Sequence, residues 1–149
     1  MSYRPVLGDS NVLVYLTNQD SQFHHVAARF VAFLEESGAL LLYTSQNLAE
    51  FWNVCTRPVP SGLGLSIEDT VLRIEKIERR FLFLPETEST DRLFKDLLLR
   101  YRVRGIQVHD ARLAAVMLSS GVKEIATFDK DDFRRFTELT VIHPQDISS

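Results

Sequence analysis

Apolar residues along this chain follow two rhythms. Short solid runs alternate with longer stretches in which apolar positions recur three and four apart, and the alternation sets the expected order of elements. The run opening at Pro5 reads as a strand ending at Asp9. Phe23, Val26, Ala27, Phe30 and Leu34 have the spacing of an amphipathic helix, which predicts a helix from about Ser21 to Glu36, capped by Asp20 or Ser21 and stopped at Gly38. ALLLYT, Ala39 to Thr44, is short and bounded by polar residues, so it reads as a buried strand. A helix from Gln46 to Thr56 follows and ends at Arg57-Pro58, where PVPSGLG (Pro58 to Gly64) makes a loop.

The second half repeats the alternation. Ser66 with Asp69 resembles a capping box opening a helix to about Arg80. FLFLP, Phe81 to Pro85, is a third strand; Thr90 caps a helix to about Arg102, with Gly105 breaking the pattern. A helix from about His109 to Ser120 ends at Gly121, KEIATF (Lys123 to Phe128) is a fourth strand, Asp131 to Phe136 a short turn or helix, and LTVIH (Leu139 to His143) a last strand. Strands alternating with helices imply an α/β sandwich around a mainly parallel sheet.

Length fits one domain over residues 1–149. At 45% hydrophobic and 25% charged residues the composition is that of a globular protein with a sizeable core. The net charge of −3 advertises no uniformly basic surface. The single cysteine, Cys55, excludes an internal disulfide and argues for a reducing compartment. MSYRPVLGDS lacks the shape of a signal peptide and no apolar stretch reaches membrane-spanning length, so the expected location is the cytoplasm, away from membranes.

Candidate chemistry lies in four lone carboxylates at the edges of apolar runs: Asp9 in VLGDSNVLVYL, Glu50 in SQNLAEFWNV, Asp110 in VHDARLAAVML and Asp129 in IATFDKDDF. A carboxylate beside core is costly unless something positive accompanies it. Ligands of open parallel sheets bind beyond the carboxyl ends of the strands, where Asp9 and Asp129 fall, and Glu50 and Asp110 sit on early helical turns. Gathered at one rim, four acids would raise one another's pKa or take a divalent cation as oxygen ligands. Singly, each has an ordinary alternative: Asp9 a turn, Asp110 a first-turn helix residue, Asp129 a cap, Glu50 a solvent-facing side chain. Their conjunction is the signal.

That conjunction resembles the PIN-domain ribonucleases from Val6 to about Ile142, and in particular the VapC-like toxins of type II toxin–antitoxin pairs. The resemblance rests on a strand leading into Asp9-Ser10-Asn11, on Glu50 in LAEFWNV with TRP following, on Asp110-Ala111 opening an alanine-rich helix, and on Thr127-Phe128-Asp129 after a strand. One residue more than the family pattern stands in DKDDF, leaving Asp131 or Asp132 as the secondary acid. The resemblance implies a PIN-like three-layer α/β/α sandwich and Mg²⁺- or Mn²⁺-dependent endoribonuclease activity. Asp9 and Asp110 would be the main metal ligands, Asp129 a further one, and Glu50 a ligand or water-orienting group, with Ser10, Asn11 and Thr127 holding the carboxylates in place. It also implies an antitoxin partner and a homodimer. An RNA-processing nuclease without an antitoxin, and a PIN-like scaffold that binds RNA or protein without cutting, are the alternatives.

Arg100, Arg102 and Arg104, with Arg112 beyond, form the densest basic cluster. Arg112 and Arg104 are the candidates for RNA phosphate contact, against the plainer reading of a solvated face. Other chemistries find less support. His24-His25 lacks the spacing of a zinc pair, no GxSxG or Gly-rich phosphate loop is present, and DSN stands where an aspartyl phosphatase would have DxD.

Overall fold

In the computed structural model, which describes residues 3–147, strands and helices alternate. The strands are β1 (Arg4–Gly8), β2 (Ala39–Tyr43), β3 (Leu82–Phe83), β4 (Glu124–Ala126) and β5 (Thr140–Ile142). The helices are α1 (Ser10–Thr17), α2 (His24–Glu36), α3 (Ser45–Thr56), α4 (Ile67–Arg80), α5 (Thr90–Arg100) and α6 (Val108–Ser119), with single 3₁₀ turns at Gly105–Gln107, Lys130–Asp132 and Pro144–Asp146. Met1, Ser2, Ser148 and Ser149 of the expected 149-residue unit lie outside the described residues.

All five strands are parallel, in the order β3-β2-β1-β4-β5, so the expected mainly parallel sheet is wholly parallel. Side chains alternate across it, as the pleat requires. Val6, Leu41 and Ala126 point into a core built with α1, α2, α3 and α4, whereas Leu7, Leu42 and Ile125 point into a second core with α5 and α6. The result is a three-layer α/β/α sandwich, and the two-sided burial explains why the strands read as solid apolar runs.

Two local expectations are corrected, and one segment without an expected element is placed. The segment after Asp9, VLVYL, to which the pattern assigned no element, lies in α1 despite its β-branched residues, with Val12, Leu13 and Val14 buried. Here the cap at Asp9 and burial between layers outweigh intrinsic preference. Helix α2 starts at His24, not Ser21, and neither Asp20 nor Ser21 caps it; the Ser21 hydroxyl closes a turn by accepting from the Phe23 N–H (3.0 Å). Phe23 and Val26 are exposed, so the buried stripe is Ala27, Phe30, Val31 and Leu34. Thr90 is the first residue of α5 rather than its cap; its hydroxyl accepts from the Thr87 N–H (3.2 Å) and lies 3.2 Å from the Ser119 hydroxyl.

Gly8 is where the sheet hands over to the acidic rim. A Cβ at this position would lie 2.9 Å from Cε2 of Phe81, a ring that is itself buried. Gly8→Ala is therefore expected to lower stability by about 1–3 kcal/mol through overpacking, measured as a shift of the urea midpoint at constant slope. No helix among the described residues is long and apolar enough to cross a membrane.

Candidate active site

Strand order places the acids. Successive connections carry the chain from β1 to β2 to β3 in one direction, whereas β4 and β5 add on the other side of β1. The reversal opens a crevice beyond the carboxyl ends of β1 and β4, the position where open parallel sheets present ligands. Asp9 follows β1 and Asp129 follows β4 by three residues. The Asp9 N–H donates to the Ala126 carbonyl (2.9 Å), tying the two strand ends together.

Asp9 is only 6% exposed, and its two carboxylate oxygens are held from different sides. Oδ1 accepts from the Ser10 N–H (2.8 Å) as the cap of α1, and Oδ2 accepts from the Thr127 hydroxyl (2.8 Å). Asn11 reaches Oδ2 only at 3.5 Å; its firmer bonds are from Nδ2 to Thr127 Oγ1 (3.2 Å) and to Oδ1 from the Phe128 N–H (3.1 Å). The Asp129 N–H donates to the same Thr127 hydroxyl (3.0 Å). Thr127 thus links Asp9, Asn11 and the loop that carries Asp129. Burial raises the Asp9 carboxyl above the usual range, the bonds from Thr127 and Ser10 oppose that rise, and the Asp129 charge adds to it.

Glu50 and Asp110 face the same crevice from two helices. Thr44 and Asn47 close a reciprocal capping box at the start of α3, the Asn47 N–H donating to Thr44 Oγ1 (3.1 Å) and Asn47 Oδ1 accepting from the Thr44 N–H (2.9 Å). Glu50 lies one turn further on. Burial, followed by the Asp9 charge, pushes its carboxyl up to about 7, with the Gln46 and Ser10 side chains partly offsetting the rise. Asp110, in the first turn of α6, is also pushed up to about 7, by burial and then by the charges of Asp132, Asp9, Glu50 and Asp129. The favourable field of the helix N-terminus does not overcome burial and this repulsion.

Sequence left Asp131 and Asp132 equivalent; the structure separates them. In a 3₁₀ turn, residues three apart eclipse, so Lys130–Asp132 aligns Asp132 with Asp129. Burial and the Asp129 and Asp9 charges push the Asp132 carboxyl up to about 6. Asp131 points outward and pairs with Arg134 at 3.3 Å.

Gln46 is a residue that sequence reasoning passed over. Its Nε2 donates to the His109 carbonyl (2.8 Å) and its Oε1 lies 3.4 Å from Arg112 Nη1, so it joins the helix of Glu50 to the helix of Asp110. Its place one turn before Glu50 was the only signal available. Arg112 also forms an ion pair with Glu86. The basic cluster is divided: Arg100 pairs with Asp96 and Glu138, while Arg104 stands exposed before the 3₁₀ turn leading to Asp110.

The donor set here is wholly oxygen, and its excess of negative charge adds to burial in raising the carboxyls of Asp9, Glu50, Asp110 and Asp132. That chemistry fits a hard divalent cation. Among the described residues no three His, Cys, Asp or Glu side chains are drawn to a single point; the acids line the crevice rather than closing on its centre.

A family model described as PIN domain matches residues 6–139. The chain belongs to the PIN-domain family. It is 30% identical over 139 residues to the Ribonuclease VapC48 of Mycobacterium tuberculosis, covering 91% of this chain and 94% of that protein. Among solved structures, VapBC2 from Rickettsia felis, bound to a DNA fragment from the promoter, aligns with a TM-score of 0.70 at 14% identity over 93% of this chain and 98% of that one. VapC20 of Mycobacterium tuberculosis, a sarcin–ricin-loop-cleaving toxin, aligns with a TM-score of 0.62 at 19% identity over 87% and 93%. At those identities the solved structures speak for the PIN fold alone. The acidic crevice of this PIN domain lies at the reversal of its strand order.

Proposed function

We propose that this PIN-domain protein is a Mg²⁺- or Mn²⁺-dependent endoribonuclease and the toxin of a toxin–antitoxin pair. The observation that carries the reading is the gathering of Asp9, Glu50, Asp110 and Asp132, with Asp129, around one crevice where burial and neighbouring carboxylates raise the first four. The 30% identity to a ribonuclease across nearly the whole chain supports the choice of RNA.

Asp9, Asp110, Asp129 and Glu50 would hold the metal. A bound Mg²⁺ or Mn²⁺ supplies Lewis acidity toward a phosphoryl oxygen and a more acidic water. Asp9 is fixed for this role because the Ser10 N–H and the Thr127 hydroxyl orient both of its oxygens. Glu50, facing the same crevice from α3, would orient the attacking water and accept its proton. Arg104, exposed beside the helix of Asp110, meets the RNA backbone, and Arg112 joins it by exchanging Glu86 for a phosphate. The partners in this reading are an RNA substrate, an antitoxin protein and a second copy of the chain, and the setting is the cytoplasm.

The direct test is cleavage of RNA by purified protein. Cleavage is expected with Mn²⁺ or Mg²⁺, is expected to stop with a chelator and to return when metal is restored. Cleavage unaffected by exhaustive chelation overturns the metal-dependent reading, and no cleavage of any RNA under metal-replete conditions overturns the nuclease reading.

A further inference from the structure

An aromatic cluster adjoins the acidic crevice and takes no part in the chemistry described so far. Phe128 lies between Thr127 and Asp129, its N–H donates to Asn11 Oδ1 (3.1 Å), and its carbonyl lies 3.1 Å from His143 Nε2. The backbone beside this ring is therefore tied to the group that holds Asp9. Tyr15 packs edge-on against Phe128, with ring centroids 4.8 Å apart. Tyr15 also sits four residues after Asn11 on α1, which puts the two side chains on one helical face. Phe23 completes the cluster, 5.0 Å from Tyr15 and 6.2 Å from Phe128, yet it remains 39% exposed at the start of α2.

Several aromatic rings in this protein are fully buried. Phe30, Phe51, Phe133 and Phe136 have at most 1% exposure, so apolar cores were available to a ring in need of cover. Phe23 instead rests on two other rings that hold it in a set orientation and leaves part of its surface to solvent. A rigid, partly exposed aromatic on the margin of a phosphate-cleaving crevice matches what a flanking base requires, because every base has a π-face to stack.

Resting on the reading of the crevice as a ribonuclease site, we propose that Phe23, supported by Tyr15 and Phe128, stacks an unpaired RNA base next to the scissile phosphate and so favours single-stranded or looped RNA at that position. Phe23 is a binding residue in this proposal, and it selects among substrates without entering the chemical step.

The test uses full-length protein carrying Asp110→Asn and short single-stranded RNAs with one 2-aminopurine placed in turn at each position. Stacking is expected to quench the fluorophore at one position. Adding Phe23→Leu is expected to abolish that quench and weaken binding about tenfold, the loss of one stacked base. Phe23→Trp is expected to keep the quench, and Phe33→Leu, an exposed ring further along α2, to leave both readouts unchanged. With Asp110 intact, Phe23→Leu is expected to raise KM about tenfold with kcat within about threefold. A quench that survives Phe23→Leu, or equal weakening by Phe33→Leu, overturns the platform. So does binding without any position-specific quench, the result expected if a protein partner rather than RNA covers these rings. Failure of the wild type to cleave overturns the nuclease reading instead, and the fluorescence arm is read independently of it.

Discussion

Asp110→Asn is expected to lower RNA cleavage by at least about 100-fold while making the metal-free protein more stable at pH 8. The two effects share one cause. Asp110 sits in a crevice where burial and four other carboxylates push its carboxyl up to about 7 from an ordinary value of 3.8. A carboxyl raised in the folded state binds its proton more tightly folded than unfolded, so ionising it opposes folding. That penalty is absent below about pH 4, grows between about pH 4 and 7, and is full above pH 7. The amide carries no charge at any of these values. Its stabilising effect should therefore be seen in the melting temperature at pH 8, shrink through pH 6 and vanish near pH 4. Added Mn²⁺ should raise the melting temperature of the wild type more than that of the variant, since the cation offsets the same repulsion. A variant that melts lower than the wild type at pH 8 without metal would contradict the electrostatic account of the site, and one with unimpaired cleavage would remove Asp110 from the chemistry.

Thr127→Val tests whether the crevice depends on one hydroxyl. The valine has nearly the volume of threonine, and residue 127 is fully buried, so packing is preserved while three polar contacts are lost. Asp9 Oδ2 loses its 2.8 Å donor, and Asn11 Nδ2 and the Asp129 N–H lose their shared acceptor. Leaving such groups unsatisfied costs about 1–3 kcal/mol of stability. Freeing Asp9 and the Asp129 loop from their common anchor is expected to reduce cleavage about 10- to 100-fold. Thr127→Ser restores the hydroxyl and is expected to recover most of the activity; a serine variant as poor as the valine would mean that the methyl group, not the bond, does the positioning.

Much of the architecture was legible because two-sided burial of a parallel sheet leaves unbroken apolar runs, as at β1 and β2, and because Ser66 caps α4 with its hydroxyl accepting from the Asp69 N–H (3.0 Å). The failures have a common origin. Asp20, Ser21 and Thr90 looked like caps since residue type alone does not show where a helix begins, and Phe23 and Val26 looked buried since helical spacing shows that a stripe exists without showing which stripe the sheet covers. At the crevice, the residue types of Asp9, Asp110 and Thr127 were informative in themselves. The choice of Asp132 over Asp131 required the eclipsed geometry of a 3₁₀ turn, and Gln46 required knowing that α3 and α6 meet at their first turns.

The bond between Thr127 and Asp9 spans 118 positions of sequence, and β1, the strand that precedes Asp9, must wait for β4 before its second neighbour exists. During synthesis, β1 and β2 can pair early, yet the crevice lacks the wall that β4 supplies until residues 124–132 have emerged. Contacts of such separation form late and slowly. A ribosome stalled between α6 and β4 therefore holds a polypeptide that contains Asp9, Glu50 and Asp110 but lacks Asp129, Asp132 and the Thr127 hydroxyl that anchors Asp9. The acidic centre is assembled only once β4 and the 3₁₀ turn after it have left the ribosome.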